Sequence, residues 1–197
     1  MSDATIRRFV PPRGGGNPAT DDRSAYRWEA VDLLAYKSDA SSPFRDVTRQ
    51  TLFRRDDLAG ELRYFEVAPG GHSTLERHAH VHAVLILRGR GRCLVDGTVQ
   101  PIHEHDLVTV PPGTWHQFRA APDAPLGFLC MVDAIRDKPE LPGPDALSSL
   151  RAALAVADFL DGRFFAVSLV DDPRFESFAQ LVTGIDADTL YALRDLT

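Results

Sequence analysis

The 197-residue sequence is poor in cysteine, nearly devoid of lysine and without a long apolar run, and each shortage excludes a class of protein. Two cysteines, Cys93 and Cys130, cannot build a disulfide framework and show no C-x-x-C spacing, so they read as small buried hydrophobes in a reducing compartment. Only two of the 22 cationic side chains are lysine, and 28 Asp and Glu outweigh the cations to leave a net charge of −6. That balance offers no basic field for nucleic acid or anionic lipid. The longest apolar stretches, such as 83–87, fall well short of the roughly 18–20 residues that a membrane span needs. The first residues also lack a signal peptide's apolar core, so the expectation is a cytoplasmic protein with no membrane or nucleic-acid partner.

What is present divides the chain into three. Residues 1–25 carry Pro11-Pro12, Gly14-Gly15-Gly16 and Asn17-Pro18, a density of breakers that predicts a flexible N-terminal arm. From Tyr26 to Lys138 short apolar runs alternate with turn signals, the pattern of a small all-β sandwich or barrel. Strands are expected in "VTRQTLFRR", in "LRYFEV" up to Pro69-Gly70-Gly71, and in "AVLILR" up to Gly89. Further strands are expected in "RCLVDG", "DLVTV" and "LGFLCMV". Over 139–197 the pattern turns helical. Leu147, Leu150 and Leu154 form an apolar stripe that should pack on the barrel, and "DPRFESFAQLV" and "DADTLYALRDL" predict two more short helices.

Histidine is the most unevenly placed residue, with all seven inside the 45 residues from His72 to His116. Glu76, His78, His80 and His82 recur at every second position, which on a continuous strand would bring all four to one face. Imidazole and carboxylate together suit a first-row divalent metal. A fifth donor, His116, follows the rigid turn Pro111-Pro112-Gly113. By alternation Phe118 shares its face, whereas Trp115 points outward against the N-terminal strands or a second subunit. His72, His103 and His105 lie beside turns and read as exposed.

These residues resemble the cupin family. Its first motif, G-x5-H-x-H-x3,4-E-x6-G, is matched in spacing by Gly70-x5-Glu76-x-His78-x3-His82-x6-Gly89, with the first histidine and the glutamate exchanged. Its second motif, G-x5-P-x-G-x2-H-x3-N, is matched by His105-x5-Pro111-x-Gly113-x2-His116-x3-Ala120, which lacks the first glycine and the last asparagine. The resemblance covers roughly 62–132. It implies a mainly β protein, a cupin-type double-stranded β-helix or jelly-roll barrel, here with a C-terminal helical extension. It also implies one divalent transition metal (Fe, Mn, Ni, Co or Zn) held by Glu76, His78, His82 and His116.

In the family His80 would fall in the turn between strands, as a substitute ligand or a pocket acid/base; Glu76 is either a ligand or a partner that orients one. Phe118 and Cys130 are the candidate pocket residues. The resemblance further implies a homodimer and an enzyme acting on a small organic substrate, dioxygenase-like in the first instance. The alternatives are a metal-dependent isomerase or lyase, or a non-catalytic sensing module.

Overall fold

A computed structural model describes residues 6–13, 18, 21–35 and 44–163. The two helices expected after residue 171 lie outside them. Ten strands and two helices are present among the described residues. The first strands are short: β1 (Phe9–Val10), β2 (Arg27–Trp28) and β3 (Leu34–Ala35). They are followed by β4 (Arg45–Phe53), β5 (Gly60–His72), β6 (His82–Val95), β7 (Thr98–His103), β8 (Leu107–Val110), β9 (His116–Ala120) and β10 (Leu126–Asp133). Helices α1 (Pro144–Arg151) and α2 (Leu154–Leu160) close the described chain.

The two longest strands make the barrel. The first half of β6 pairs with β8 and β10, its second half with β7 and β9, so one strand serves two sheets. Likewise β5 pairs with β4 and β10 along most of its length and reaches β9 at His72. This is why the strand ends expected at Gly70 and Gly89 are not ends. Both glycines adopt positive φ (70° and 71°) and bend a strand that continues, a conformation costly for any residue with a Cβ. At Gly89 a Cβ would also collide with the Pro125 carbonyl oxygen.

Alternation then sorts the side chains. Val47, Phe65, Val67, Val84, Ile86, Cys93, Phe118, Phe128 and Cys130 fill the interior, with Phe128 5.5 Å from Phe65 and 5.0 Å from Phe118 between ring centres. The opposite face of β4 and β5 holds Gln50, Tyr64 and Glu66, all fully buried because part of the N-terminal arm lies over them. Tyr26 N–H donates to Glu66 Oε2 (2.8 Å), and Gln50 Nε2 donates to the Tyr26 carbonyl (2.6 Å). Arg88 pairs with Glu66 and stands 4.5 Å over the Tyr26 ring. From the arm, Phe9–Val10 pairs with Arg27–Trp28 just beyond it, and Phe9 packs edge-on to Tyr26 and Trp28.

The C-terminal helices cover a second apolar cluster on the outside of the sheet, built from Leu75, Leu94, Val156 and Phe159. Leu147 and Leu150 join it as expected, but Leu154 is 73% exposed. The chain leaves helix at Ala152-Ala153, so the heptad-like spacing does not carry across the break, and Val156 and Phe159 take the buried positions. Trp115 points outward, yet it packs with these helices and under Arg77 rather than on the N-terminal strands.

Replacing Gly89 by alanine should cost about 3 kcal/mol or more, since it adds a backbone collision to the roughly 1 kcal/mol of a strained φ. Gly97→Ala, at a similar φ of 74° but facing open space, should cost only about 1 kcal/mol. Urea denaturation of the two variants checks this; equal losses would mean that the bend at Gly89 tolerates a side chain.

Candidate metal centre

The two histidine segments meet through their backbones. Residues 73–81 are not a strand, so the expected single face of alternating ligands does not exist; the segment is a loop pinned at three points. Glu76 and His116 form an antiparallel bridge, N–H to carbonyl in both directions at 3.2 and 3.0 Å. Gly113, in the Pro-Pro-Gly turn at φ 72°, donates its N–H to the His78 carbonyl at 2.7 Å. Arg77 bridges Glu140 through backbone hydrogen bonds of 3.1 and 2.9 Å and through a bidentate ion pair at 2.7 and 2.9 Å. The loop returns to strand at His82.

This brings together His78, His82 and His116, whose ligand atoms all lie within 4.8 Å of one another. His78 Nδ1 contacts the His80 carbonyl at 2.9 Å and His116 Nδ1 the Thr114 carbonyl at 3.0 Å. A carbonyl only accepts, so Nδ1 carries the proton in both rings and Nε2 keeps its lone pair. The Nε2 atoms of His78 and His82 are buried and have no hydrogen-bond partner. Buried polar nitrogens are rarely left so, and two orphans in one cluster are what a divalent cation would satisfy.

Electrostatics agree with that use. Burial first, then the neighbouring His78 and His116, pushes His82 down to about 2; burial foremost pushes His116 down to about 4, and it lowers His78 as well. All three rings are therefore neutral near pH 7, the form that coordinates metal. Three neutral imidazoles and a nearby carboxylate suit a divalent transition metal better than calcium or magnesium.

The other expected site residues fall in distinct places. Glu76 is buried beside the triad, where its charge acts on His78 and His116, but its carboxylate is not among the clustered donors. His80 is also outside the cluster: its ring stacks on His78 (centroids 3.7 Å, 8° between planes) and its Nδ1 meets Asp137 Oδ1 at 2.6 Å. Phe118 and Cys130 line the apolar interior below the triad, and burial raises the Cys130 thiol to about 12. His103 and His105 are exposed, whereas His72 is half-buried at the end of β5.

Asp137 was not foreseeable from motif spacing. It accepts from the Ala79 N–H at 2.8 Å as well as meeting His80, and these two contacts hold its carboxyl down at about 2. Standing 57 residues from His80 and past the last strand, it gives no local signal.

Comparisons with known proteins agree with this architecture. A family model described as a cupin domain matches residues 63–132. A relative named 1-methylthio-D-xylulose 5-phosphate methylsulfurylase, from Rhodospirillum rubrum, is 60% identical over 150 residues, which cover 73% of this chain and 96% of that protein. A solved cupin-2 domain structure from the same organism is 62% identical over 71% of this chain and 94% of its own, with a TM-score of 0.68. A cupin 2 conserved barrel domain protein from Rhodopseudomonas palustris is 50% identical over 79% of this chain and 98% of its own, with a TM-score of 0.69. The barrel with its histidine cluster defines the class, and the chain belongs to the cupin family. Among the described residues no helix is long and apolar enough to cross a membrane.

Metal analysis of protein purified without an affinity tag should return about one divalent ion per chain. His78→Ala, His82→Ala and His116→Ala should each lose most of it, whereas Glu76→Gln should keep the stoichiometry with affinity roughly tenfold lower. Full metal content in His82→Ala or His116→Ala would show that the ion sits elsewhere.

Proposed function

We propose that this protein is a metal-dependent cupin enzyme acting on 1-methylthio-D-xylulose 5-phosphate or a close thioketose phosphate, at the bond between carbon 1 and sulfur. The observation that carries this reading is 60% identity over 96% of a relative named for that reaction. The histidine triad supports it independently, because a 2-ketose offers a carbonyl and a neighbouring hydroxyl oxygen as a chelating pair. The dioxygenase-like and sensing alternatives rest on family resemblance alone.

His78, His82 and His116 would hold the ion, with Fe, Mn, Ni, Co and Zn all compatible with this donor set. When bound, a divalent cation supplies Lewis acidity to the ketose carbonyl and so acidifies the carbon beside it. Thr114 and His80 carbonyls fix the tautomers of His116 and His78, so the donors meet the ion without rearrangement. Glu76 adds negative charge beside the triad. His80, held through Nδ1 by Asp137, would exchange a proton with the bound ketose. Phe118 and Cys130, packed in the apolar interior, would keep water from that side of the site. A homodimer and a cytoplasmic location are part of the same reading.

Incubation of the metal-loaded protein with 1-methylthio-D-xylulose 5-phosphate and a thiol, followed by mass spectrometry, should show the C1–S bond replaced by C1–H and the methylthio group carried off as a mixed disulfide with the thiol, which is the reductant. His116→Ala should lower the rate at least ~100-fold, as removal of a metal ligand does. Asp137→Asn should slow turnover about tenfold with metal content unchanged. Intact substrate after incubation with each of the five metals would reject the assignment.

A further inference from the structure

The barrel wall carries two arginines that neither the metal centre nor the packing accounts for. On β4 and β5, Arg49 stands opposite Phe65 and Thr51 opposite Arg63. Directly opposed residues share a face, and Phe65 belongs to the barrel interior, so Arg49 and Arg63 are interior-facing diagonal neighbours. The outer face of the same strands is taken by Gln50, Tyr64 and Glu66 beneath the arm. Two guanidinium groups therefore project from adjacent strands on the inner face of the barrel.

Neither is used up by structural contacts. Arg63 donates through Nε to Glu61, but that carboxylate also takes Arg136 Nη1 at 2.8 Å, so one negative charge is shared by two cations. The terminal nitrogens of Arg63 make no hydrogen bond among the described residues. The Arg49 side chain makes none there, and its Nε is buried without a partner. An unpaired guanidinium nitrogen is a standing cost to folding, and an apolar side chain would fill the position better.

Arg63 also faces the metal centre. It is opposite Cys130 on β10, and Cys130 is opposite Val84 on β6, two residues along the same inner face from His82. Two strand spacings, roughly 10 Å, separate the backbones, a span that an arginine side chain and a small molecule can bridge together.

We propose that Arg49 and Arg63 form the anion-binding end of the active site and clamp the phosphate of a phosphorylated ketose whose oxygens lie at the histidine triad. Two arginines present forked donors that match phosphate oxygens, which a lysine pair could not do in the same geometry. The identity of the anion as a sugar phosphate rests on the function proposed above; the clamp itself rests on the placement of the arginines.

The test reads binding rather than turnover. Calorimetric titration of the metal-loaded, full-length protein with D-xylulose 5-phosphate and with D-xylulose should show at least 100-fold preference for the phosphorylated sugar. Arg49→Met and Arg63→Met should each weaken D-xylulose 5-phosphate at least tenfold and leave D-xylulose unchanged, with Arg63→Lys recovering part of the loss. Arg49→Met should also melt no lower than the parent protein, because it removes an unpartnered buried group, so loss of binding in this variant cannot be ascribed to misfolding. Unchanged phosphate preference in both methionine variants would overturn the clamp even if the thioketose phosphate is turned over. Arginine-dependent pentose phosphate binding without such turnover would uphold the clamp and remove the proposed reaction.

Discussion

Two backbone hydrogen bonds between Glu76 and His116 carry the site. Without that bridge the loop bearing His78 and the strand bearing His116 would be separate stretches of chain, and the neutral, buried imidazoles would have no common focus. The bridge works because both partners are rigid. The Pro-Pro-Gly turn fixes where β9 begins and donates its glycine N–H to the His78 carbonyl. From the other side, the stretch after β10 reaches back to the same loop, through Asp137 to Ala79 and His80 and through Glu140 to Arg77. A loop carrying ligands is thus held as firmly as a strand would hold them, which a metal centre requires if its donors are to converge without reorganisation.

The barrel divides its labour along its long strands. Bending β5 and β6 between sheets at Gly70 and Gly89 places an apolar floor of Phe65, Phe118 and Phe128 below the histidines. The same inner face of β4 and β5 also carries Arg49, Arg63 and Glu61. The outer faces, which would expose Tyr64, Glu66 and Leu94, are closed by the N-terminal arm and by α2. Each covering segment also satisfies a buried polar group: the Tyr26 N–H donates to Glu66, and the Leu160 carbonyl at the end of α2 accepts from Arg119.

Much of this was legible in the sequence where chemistry is tied to fixed spacing. His78, His82 and His116 follow from two motifs in the right order, since a turn of set length leaves little freedom in where its ligands land. Alternation also placed Phe118 inside and Trp115 outside. Glycine was misread at positions 70 and 89 because a bend inside a strand and the end of a strand make the same local demand, a positive φ. The strand geometry assumed for Glu76 to His82 failed for a related reason: period-two spacing survives in a loop that doubles back on itself, where it stacks His80 on His78 instead of aligning four ligands. Asp137 and Arg49 were out of reach because their importance comes from pairings between distant strands and segments.

Three imidazoles converging on one metal ion would leave a spectroscopic signature. X-ray absorption at the metal edge of the protein loaded with manganese or nickel tests for it most directly, because imidazole rings give outer-shell scattering that carboxylate and water do not. Three imidazole nitrogens are expected at roughly 2.0–2.2 Å, with oxygen donors completing the shell. A shell with one imidazole or none would contradict that convergence.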